Sequence, residues 1–408
     1  MDGTGARATP AANTGRHAVR QRRRDTLTAW LFISPAVLVI GVFGIFPLFF
    51  TVYVSLFRWR LSRGSFSGLN NYALLFGASP LALAVVVAAL GAAVGAVALL
   101  RRAGAGRAPA PVPARVAAVA LLAASTVAFI VALPVLVAQG DKEAFDSLRV
   151  TVWYSLCTVP VQIVGGLFLA VLLMRRMRGK QLFRVVSLTP YIAPTVATAA
   201  VFELLFSLRP DSFANQVLKL VGAGPLQWLQ EPKGILTLLF GWGAGAGAGT
   251  GPGAVVMAYW GEWAQGPSLA LVAIVVYSWW DFIGYYALIY MNGLGAIPRQ
   301  LYEAAEVDGA GKLRSFFSIT VPLLSPTTYF LTLLGIIGTF KAFTQLYVLR
   351  SSAASGTVDP LSVSIFFTAF RKGNMGYASA VSVLLFLIVL GLTIIQQRTA
   401  EGRVTYGD

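Results

Sequence analysis

Eight long apolar runs occupy most of the chain and restrict its possible folds more than any other feature. They extend over 29–56, 81–100, 116–137, 150–174, 185–208, 269–290, 327–348 and 378–395. A helix of about 18 or more apolar residues is long enough to cross a bilayer, and a backbone in lipid must satisfy its own hydrogen bonds. The runs therefore predict an all-α polytopic membrane protein with about eight transmembrane helices.

The distribution of charge predicts how these helices are oriented. The formal net charge of the 408-residue chain is +16, and 57% of the residues are hydrophobic. A nucleic-acid-binding protein would cluster such charge on a polar face with few apolar runs, whereas here the arginines lie beside the runs. Because cytoplasmic connections carry an excess of Lys and Arg, we expect both termini and the loops at 101–115, 175–184 and 295–326 to be cytoplasmic.

The sequence contains no pattern for a catalytic or metal centre. The one cysteine, Cys157, lies in an apolar run, and the one histidine, His17, lies in a polar tail, so no His/Cys cluster can hold a metal ion. Gly309-Ala-Gly-Lys312 has the wrong spacing for a phosphate-binding loop, and Leu313 replaces the Ser or Thr that would hold Mg²⁺. We therefore predict a non-catalytic chain without a cofactor or metal, and any ATP hydrolysis must take place on a partner.

A polar segment, residues 295–326, separates two apolar runs and has a pattern of its own. Pro298 suits the first turn of a helix, and small or apolar residues follow it at helical spacing. Gly309 falls where the backbone must turn between two short helices, and Pro322 is expected to end the second one. The pattern predicts a bent pair of helices just outside the membrane. An amphipathic loop lying on the bilayer surface is the alternative interpretation.

The spacing of Glu303-Ala304-Ala305, Gly309, Ile319 and Pro322 in this segment resembles the EAA motif of permease subunits from ATP-binding-cassette (ABC) importers. The resemblance implies the type I ABC importer permease fold, in which this loop docks on a separate ATPase subunit. Val321 stands where that family usually has Leu. The ATPase-coupling residues that the resemblance implies are Glu303, Ala304, Ala305, Asp308, Gly309, Ile319 and Pro322.

Most of the chain from Gly68 onward resembles the carbohydrate branch of these permeases, and above all the larger, sugar-contacting permease of the maltose type. The stretch 188–195, with Pro190 and Pro194, matches that subunit's proline-flanked segment. Its prolines also disturb a helix, and irregular backbone at membrane depth is tolerated only beside protein or a cavity. The substrate-pathway residues implied are Tyr191, Thr195, Ser278, Phe282, Tyr285 and Thr339. Ser278 and Phe282 replace that subunit's Asn and Gly, which leaves the identity of the sugar open.

The function implied by the resemblance is the translocation of a carbohydrate, such as a di- or oligosaccharide, across the bacterial plasma membrane, driven by ATP hydrolysis on a partner. The implied partners are ABC ATPase subunits, a second permease subunit and an extracytoplasmic sugar-binding protein. The alternative is a secondary, ion-coupled transporter, which would be expected to show internal repeats and paired broken helices. A membrane-embedded enzyme would need a His, Cys or paired-carboxylate cluster in the membrane. Neither alternative accounts for the loop at 295–326.

The predicted organisation has five parts. Residues 1–28 form a disordered basic cytoplasmic tail, and 29–76 hold the first transmembrane helix and an outer segment. Residues 77–140 form an inserted transmembrane hairpin, because the resembling permeases lead directly from the Gly68–Tyr72 element to their next span. Residues 141–397 form the permease core with the coupling loop at 295–326, and 398–408 form a second cytoplasmic tail. A Gly/Ala tract at 243–253 lies in the predicted outer loop.

Three ionisable residues, Glu203, Asp281 and Lys341, fall within apolar runs. A charge inside a span is costly and is by default a functional candidate. Opposite charges in apolar surroundings tend to pair, so two of these residues are expected to neutralise each other or to face a water-filled cavity. The sequence leaves both arrangements open.

Overall fold

The computed structural model describes residues 14–60, 62–77, 80–105, 112–175, 178–220, 222, 224–243 and 252–400. Most of the predicted Gly/Ala tract, part of the connection at 101–115 and the predicted tail from residue 401 lie outside the described residues. Within them, regular structure is helical, and the β-type pairings are two isolated bridges, Phe57 with Phe66 and Gly234 with Ser268. The all-α prediction is confirmed.

Seven helices in the described part of the chain are long and apolar enough to cross a membrane, and a bent pair of helices supplies an eighth. Spans 1 to 8 are, in order, Thr28–Ser55, Pro80–Leu100, Val112–Gln139, Lys142–Met174, the pair Lys180–Ile192 with Thr195–Leu205, Leu269–Ala296, Ser325–Val348 and Met375–Arg398. The predicted runs agree with these spans to within eight residues at every end, because bilayer thickness sets the apolar length that a spanning helix needs.

Span 1 belongs to a compact unit that ends at Val54, and the chain from Ser55 forms a second unit. Its helix begins at Thr14, within the segment expected to be disordered, and contains a π-helical turn at Gly41–Ile45 before it continues as Phe46–Ser55. Arg and Ala are among the best helix formers, so an Arg-rich composition does not by itself prevent a helix. Residues 1–13 of the predicted tail lie outside the described residues.

Spans 2 and 3 pack side by side as a hairpin. Ala89 and Ala96 on span 2 are buried, and small side chains of this kind let membrane helices approach closely. Span 3 also packs against a short helix, Pro252–Ala264, where the indole N–H of Trp260 donates a hydrogen bond to the carbonyl oxygen of Ile130 at 2.9 Å. The hairpin is therefore attached to the segment that connects spans 5 and 6.

The core of the second unit lies where spans 4, 6 and 7 pack together. A Cβ atom at Gly166 on span 4 would lie 2.5 Å from Cβ of Tyr286 on span 6, so only glycine fits at this crossing. The hydroxyl of Tyr286 in turn donates to the carbonyl oxygen of Leu331 on span 7 at 3.4 Å. Small residues and buried polar contacts of this kind hold membrane helices together, since lipid removes the hydrophobic driving force between them.

Charged side chains join several segments around the N-terminal end of span 4. Glu262 pairs with Arg149 and with Lys142, the latter at 3.1 Å. Glu143 pairs with Lys372 at 2.6 Å, which connects span 4 to the segment just before span 8. The first set of contacts fixes the helix Pro252–Ala264 to span 4.

The remaining described helices connect the spans or flank them. Asn70–Phe76 lies between spans 1 and 2. The long connection between spans 5 and 6 contains Phe213–Leu220, Ile235–Phe240 and Pro252–Ala264. Between spans 6 and 7 they are Arg299–Val307, Lys312–Ser315, the π-helical turn Phe316–Thr320 and Val321–Leu323. Between spans 7 and 8 they are Leu361–Phe366 and the π-helical turn Phe367–Arg371.

Candidate substrate cavity and coupling loop

Span 5 is broken in the middle. Its first helix ends at Ile192, its second begins at Thr195, and the two are bent by 96°. The cause is Pro194, which lacks an N–H and restricts the preceding residue to extended backbone. Ala193 accordingly has ψ 147°. Pro190 is accommodated inside the first helix, so of the two prolines expected to disturb this span, Pro194 lies at the break.

The break places Tyr191 against span 6. Its ring stacks on Tyr285 with 4.4 Å between the centroids and meets Phe282 edge-on at 5.6 Å. This close approach depends on Gly284, since a Cβ atom there would lie 1.8 Å from the carbonyl oxygen of Ser187 on span 5. A larger residue at position 284 would therefore force spans 5 and 6 apart.

A cavity of about 220 Å³ opens beside this aromatic group, between spans 4, 5, 6 and 7. Its walls are mostly rings, amides and hydroxyls from these four spans. The lining residues are Tyr154, Thr158, Gln162, Tyr191, Phe282, Tyr285, Tyr286, Leu334, Gly335, Gly338, Thr339, Ala342 and Gln345. None of them is charged. The cavity therefore offers aromatic faces and neutral hydrogen-bonding groups together.

A hydrogen-bonded network forms part of one wall of the cavity. The amide of Gln345 donates to the hydroxyl of Tyr154 at 3.0 Å, and that hydroxyl is 2.8 Å from Oγ of Ser278. The amide of Gln162 donates to the backbone carbonyl of Ser278 at 3.0 Å. Fixed polar groups of this kind give a pocket its specificity.

Sequence reasoning missed the contribution of span 4 to this cavity. Tyr154, Thr158 and Gln162 follow one another at intervals of four residues, and this interval places them on one face of a helix. A polar stripe within an otherwise apolar run was the signal that could have identified them. Gln345 has no such pattern, because it lies in the short helix Thr344–Val348 at the end of span 7.

The structure brings four of the six predicted substrate-pathway residues to one cavity. Tyr191, Phe282, Tyr285 and Thr339 line it. Ser278 is fully buried behind Tyr154. Thr195 is half-buried at the start of the second helix of span 5 and does not line the cavity. The role of all six in transport remains a prediction.

The three ionisable residues of the apolar runs do not pair with one another in the described structure. Asp281 is buried, whereas Glu203 and Lys341 are exposed. No ion pair among the described residues joins any two of them. Glu203 lines a second, larger cavity of about 880 Å³ together with Arg209 and Arg350. The expectation of mutual neutralisation is therefore not met.

The segment 295–326 forms the predicted pair of short helices. The first, Arg299–Val307, begins directly after Pro298. It ends in two hydrogen bonds, from N–H of Ala310 to the carbonyl of Ala305 at 2.8 Å and from N–H of Gly309 to that of Glu306 at 3.0 Å. This pair of bonds is the Schellman arrangement, which requires left-handed backbone at its glycine. Gly309 has φ +74°.

Gly309 has open space where a side chain would project, with no atom within 4 Å of the position of a Cβ. Within this chain, the left-handed backbone at position 309, and not a lack of space for a side chain, therefore requires glycine. Gly311, two residues later, also has open space around it, but its φ is −67°. The two glycines thus differ in backbone conformation alone.

The second helical part consists of Lys312–Ser315, the π-helical turn Phe316–Thr320 and Val321–Leu323. The prediction that Pro322 ends it is wrong, because the helix continues through this residue to Leu323. Proline is accepted there because the first turn of a helix does not need its missing N–H. The hydroxyls of Tyr302 and Thr320 lie 2.8 Å apart and join the two helical parts.

Three large apolar side chains of this segment are mostly exposed. Val307, Leu313 and Phe317 are 88%, 77% and 65% exposed. Among the predicted coupling residues, Glu303 is exposed and pairs with Arg299 at 3.1 Å, one turn earlier in the same helix. Exposed apolar patches with polar surroundings mark interaction sites in most proteins.

Comparison with known proteins identifies the family. Residues 162–402 match the family model described as the binding-protein-dependent transport system inner membrane component. The chain is 30% identical over 262 residues to the trehalose/maltose transport system permease protein MalF of Thermococcus litoralis, covering 64% of this chain and 76% of that protein. It is also 30% identical over 270 residues to the sn-glycerol-3-phosphate transport system permease protein UgpA of Agrobacterium fabrum, covering 66% and 79%.

A solved structure supports the fold. A chain of a bacterial ABC transporter involved in the import of the acidic polysaccharide alginate superposes with a TM-score of 0.52 at 16% identity, covering 66% of this chain and 83% of the other. The family match covers more than half of the chain and includes spans 5 to 8 and the loop with the EAA motif. The chain therefore belongs to the binding-protein-dependent transport system inner membrane components, the multi-pass permease subunits of ABC importers.

Proposed function

We propose that this permease subunit translocates a carbohydrate and that ATP hydrolysis on partner subunits drives the transport. The observation that carries the proposal is the cavity at the broken span, where stacked rings and neutral hydrogen-bonding groups meet. Aromatic faces pack against the apolar faces of a sugar ring, and hydroxyl and amide groups bond to its hydroxyls. Tyr191 and Tyr285 supply the first kind of contact, and Gln162 and Gln345 supply the second.

The chemistry of the cavity favours a sugar over a phosphorylated substrate. Relatives of the chain include permeases named for trehalose and maltose and others named for sn-glycerol-3-phosphate. A phosphate group is usually held by Arg, Lys or a helix N-terminus. No residue that lines the cavity in the described structure is Arg or Lys, so its composition supports an uncharged, hydroxyl-rich part of the substrate.

The size of the cavity supports a second permease subunit. Its volume of about 220 Å³ is below the roughly 300 to 1,000 Å³ of a complete ligand pocket. A disaccharide therefore needs further walls, which we assign to a second permease chain. An extracytoplasmic sugar-binding protein would deliver the substrate.

The exposed apolar residues at 295–326 support docking of an ATPase subunit. Val307, Leu313 and Phe317 lie in or beside short helices, and apolar helix surfaces of this kind fit into grooves on partner proteins. We place this loop and both chain termini in the cytoplasm of a bacterium, because the basic connections follow the positive-inside bias. Hydrolysis would then occur on the same side as the loop.

The test is uptake by the complete transporter, reconstituted in vesicles with its second permease, ATPases and binding protein. Labelled di- and oligosaccharides should accumulate only when ATP is present on the ATPase side, and ionophores should not prevent accumulation. Labelled glycerol-3-phosphate provides the comparison for substrate class. Uptake driven by an ion gradient without ATP would support the secondary transporter instead, and uptake of glycerol-3-phosphate alone would contradict the proposed substrate.

A further inference from the structure

The wall that span 7 contributes to the substrate cavity contains mostly small residues. Leu334, Gly338 and Ala342 follow one another at intervals of four residues, and this interval places them on one helix face. All three line the cavity, together with Gly335 and Thr339 of the same span. Glycines thus occupy the middle of this wall, where the helix presents backbone and no side chain.

Packing between the spans accounts for Gly335. A Cβ atom there would lie 2.5 Å from the hydroxyl oxygen of Tyr286 on span 6 and 3.0 Å from Cγ1 of Val159 on span 4. These distances are too short for non-bonded atoms in a close-packed interior, so a side chain would force the spans apart. Small residues allow membrane helices to approach closely in this way, as Gly166 does on span 4.

Neither packing nor backbone conformation accounts for Gly338. No atom lies within 4 Å of the position that its Cβ would take, and the residue is exposed. It lies inside the helix Ser325–Phe340, and its φ is outside the left-handed region. Glycine in such a position weakens a helix relative to alanine. What glycine supplies here is the open space itself, and this space adjoins the cavity that the residue lines.

The space at Gly338 matters because the cavity is small. Its volume is about 220 Å³, and Tyr191 and Tyr285 line it from spans 5 and 6. Glycine lets a ligand approach the backbone closely, whereas a side chain on this helix face would take up part of that volume. The room available to a sugar ring beside the tyrosines therefore depends on the residue at position 338.

We propose that Gly338 is a specificity-determining residue that limits the size of the carbohydrate unit the cavity accepts. This inference rests on the proposed function and adds a size limit to its substrate class. The absent side chain leaves room for the sugar ring next to the backbone of span 7. A larger residue at this position excludes larger sugar units before smaller ones, that is, a hexose with its hydroxymethyl group before a pentose that lacks it.

The experiment measures ATP-driven uptake by the complete transporter in vesicles, with Gly338→Ala, Gly338→Val and Gly338→Leu. The labelled probes are maltose, trehalose, cellobiose and xylobiose, the last of which has the linkage of cellobiose without its hydroxymethyl groups. We expect uptake of the hexose disaccharides to fall with the size of the new side chain, by at least about tenfold for leucine, because one methylene in a fitted pocket changes selectivity by about tenfold or more. Uptake of xylobiose relative to cellobiose should rise in the same order.

Gly391 provides the matched control. It also lies inside a membrane helix, Met375–Ala400, and has no atom within 4 Å of its Cβ position, but it does not line the cavity. Gly391→Leu should leave the uptake of every probe unchanged. Leucine favours a helix over glycine, so both leucine variants should be at least as stable to heat as the wild type. Loss of transport without loss of stability separates a role in the cavity from a role in folding.

The outcomes separate this inference from the proposed function. Uptake of a disaccharide by the wild type and equal uptake by Gly338→Leu would support the proposed function and overturn the inference. Equal loss of cellobiose and xylobiose uptake in Gly338→Val would also overturn it, since the side chain would then block the pathway without selecting by size. If Gly338→Leu no longer co-purifies with the second permease, the glycine serves packing between subunits, and the inference is wrong. If the wild type takes up none of the probes, both proposals fail.

Discussion

The ring of Tyr191 lies almost parallel to that of Tyr285, at an interplanar angle of 17° and a centroid distance of 4.4 Å. The first ring lies at the end of the first helix of span 5, just before the 96° break, and the second lies on span 6. Both also line the cavity. A change in the angle of the break therefore alters the cavity wall directly.

Substitutions in this pair should impair transport without preventing assembly. Removal of a stacked ring costs about 0.5 to 1.5 kcal/mol beyond the lost area, and loss of a hydroxyl that the bound substrate would bury and pair with costs about 1 to 3 kcal/mol. We expect Tyr285→Ala to reduce uptake about tenfold or more and Tyr191→Phe to reduce it less. Phe168→Ala, at an exposed ring on span 4, is the control. Normal uptake by both tyrosine variants would place the pathway elsewhere.

The two open glycines of the coupling segment provide a matched comparison. Gly309→Ala forces a Cβ into left-handed backbone, at a cost of roughly 1 to 2 kcal/mol, whereas Gly311→Ala does not. We expect the first variant to lower ATP-driven uptake and co-purification of the ATPase, and the second to behave like the wild type. Equal effects of the two variants would show that backbone conformation is not what position 309 requires.

The exposed apolar surface of the segment should be needed for ATPase docking. Val307→Asp places a charge at a position that is 88% exposed, so the isolated chain should insert and fold normally. Burying that charge against a partner is costly, and we expect at least about tenfold less ATPase to co-purify. Glu306→Gln, at the neighbouring exposed position, is the control. Full co-purification with Val307→Asp would mean that the ATPase contacts a different surface.

The contact between Glu262 and span 4 should depend on pH. Burial alone would raise the pKa of Glu262, but the hydrogen bond and charge of Arg149, together with Lys142, outweigh it and hold the pKa below its ordinary value of 4.5. Because folding lowers this pKa, its stabilising contribution is complete above pH 4.5 and is lost as the pH falls through the lower, folded-state value.

Hydrogen exchange in the helix Pro252–Ala264 measures this contact. We expect Glu262→Gln to accelerate exchange at neutral pH by a few-fold, because a partly exposed ion pair contributes about 1 kcal/mol or less. In the wild type the same acceleration should appear only below pH 4.5. Asp211→Asn, at an exposed acid, should have no effect. Unchanged exchange in Glu262→Gln would show that the apolar contacts of this helix suffice.

The predicted orientation can be tested with single cysteines. In a Cys157→Ser background, Gly311→Cys should resist an impermeant thiol reagent added to intact cells, because the basic connections predict a cytoplasmic loop. Ser352→Cys, on an exposed segment between spans 7 and 8, should react. Labelling at position 311 before the cells are opened would contradict the orientation, and with it the proposed side of ATPase docking.

The parts of the fold that were predictable depend on local pattern or on the bilayer. The spans follow from apolar length, and the first coupling helix follows from Pro298 at its start and Gly309 at its end. The break in span 5 was indicated by its two prolines. Pro322 was misinterpreted, because a proline that ends one helix and a proline that begins a helical turn have the same local pattern in the sequence.

The composition of the cavity was predictable only in part. Which side chains meet depends on how each helix is rotated about its axis, and this rotation is set by contacts such as Gly166 with Tyr286. Ser278 and Tyr285 share a helix face, yet Tyr154 covers Ser278. Thr195 lies beyond a 96° bend, and a sequence pattern does not specify the direction of such a bend. Long-range packing therefore determines which of these side chains reach the cavity.

The hydrogen bond between Tyr302 and Thr320 has a mechanical consequence. It links the two helical parts of the coupling segment, so a displacement of this segment by a partner is transmitted to spans 6 and 7 together. Along the helix axis, Tyr285 lies about 16 Å and Thr339 about 20 Å from the loop, at about 1.5 Å per residue. At these distances, a tilt of about 5° moves each cavity wall by about 1.5 Å. A small displacement at the segment is thus sufficient to change which side chains a sugar can reach.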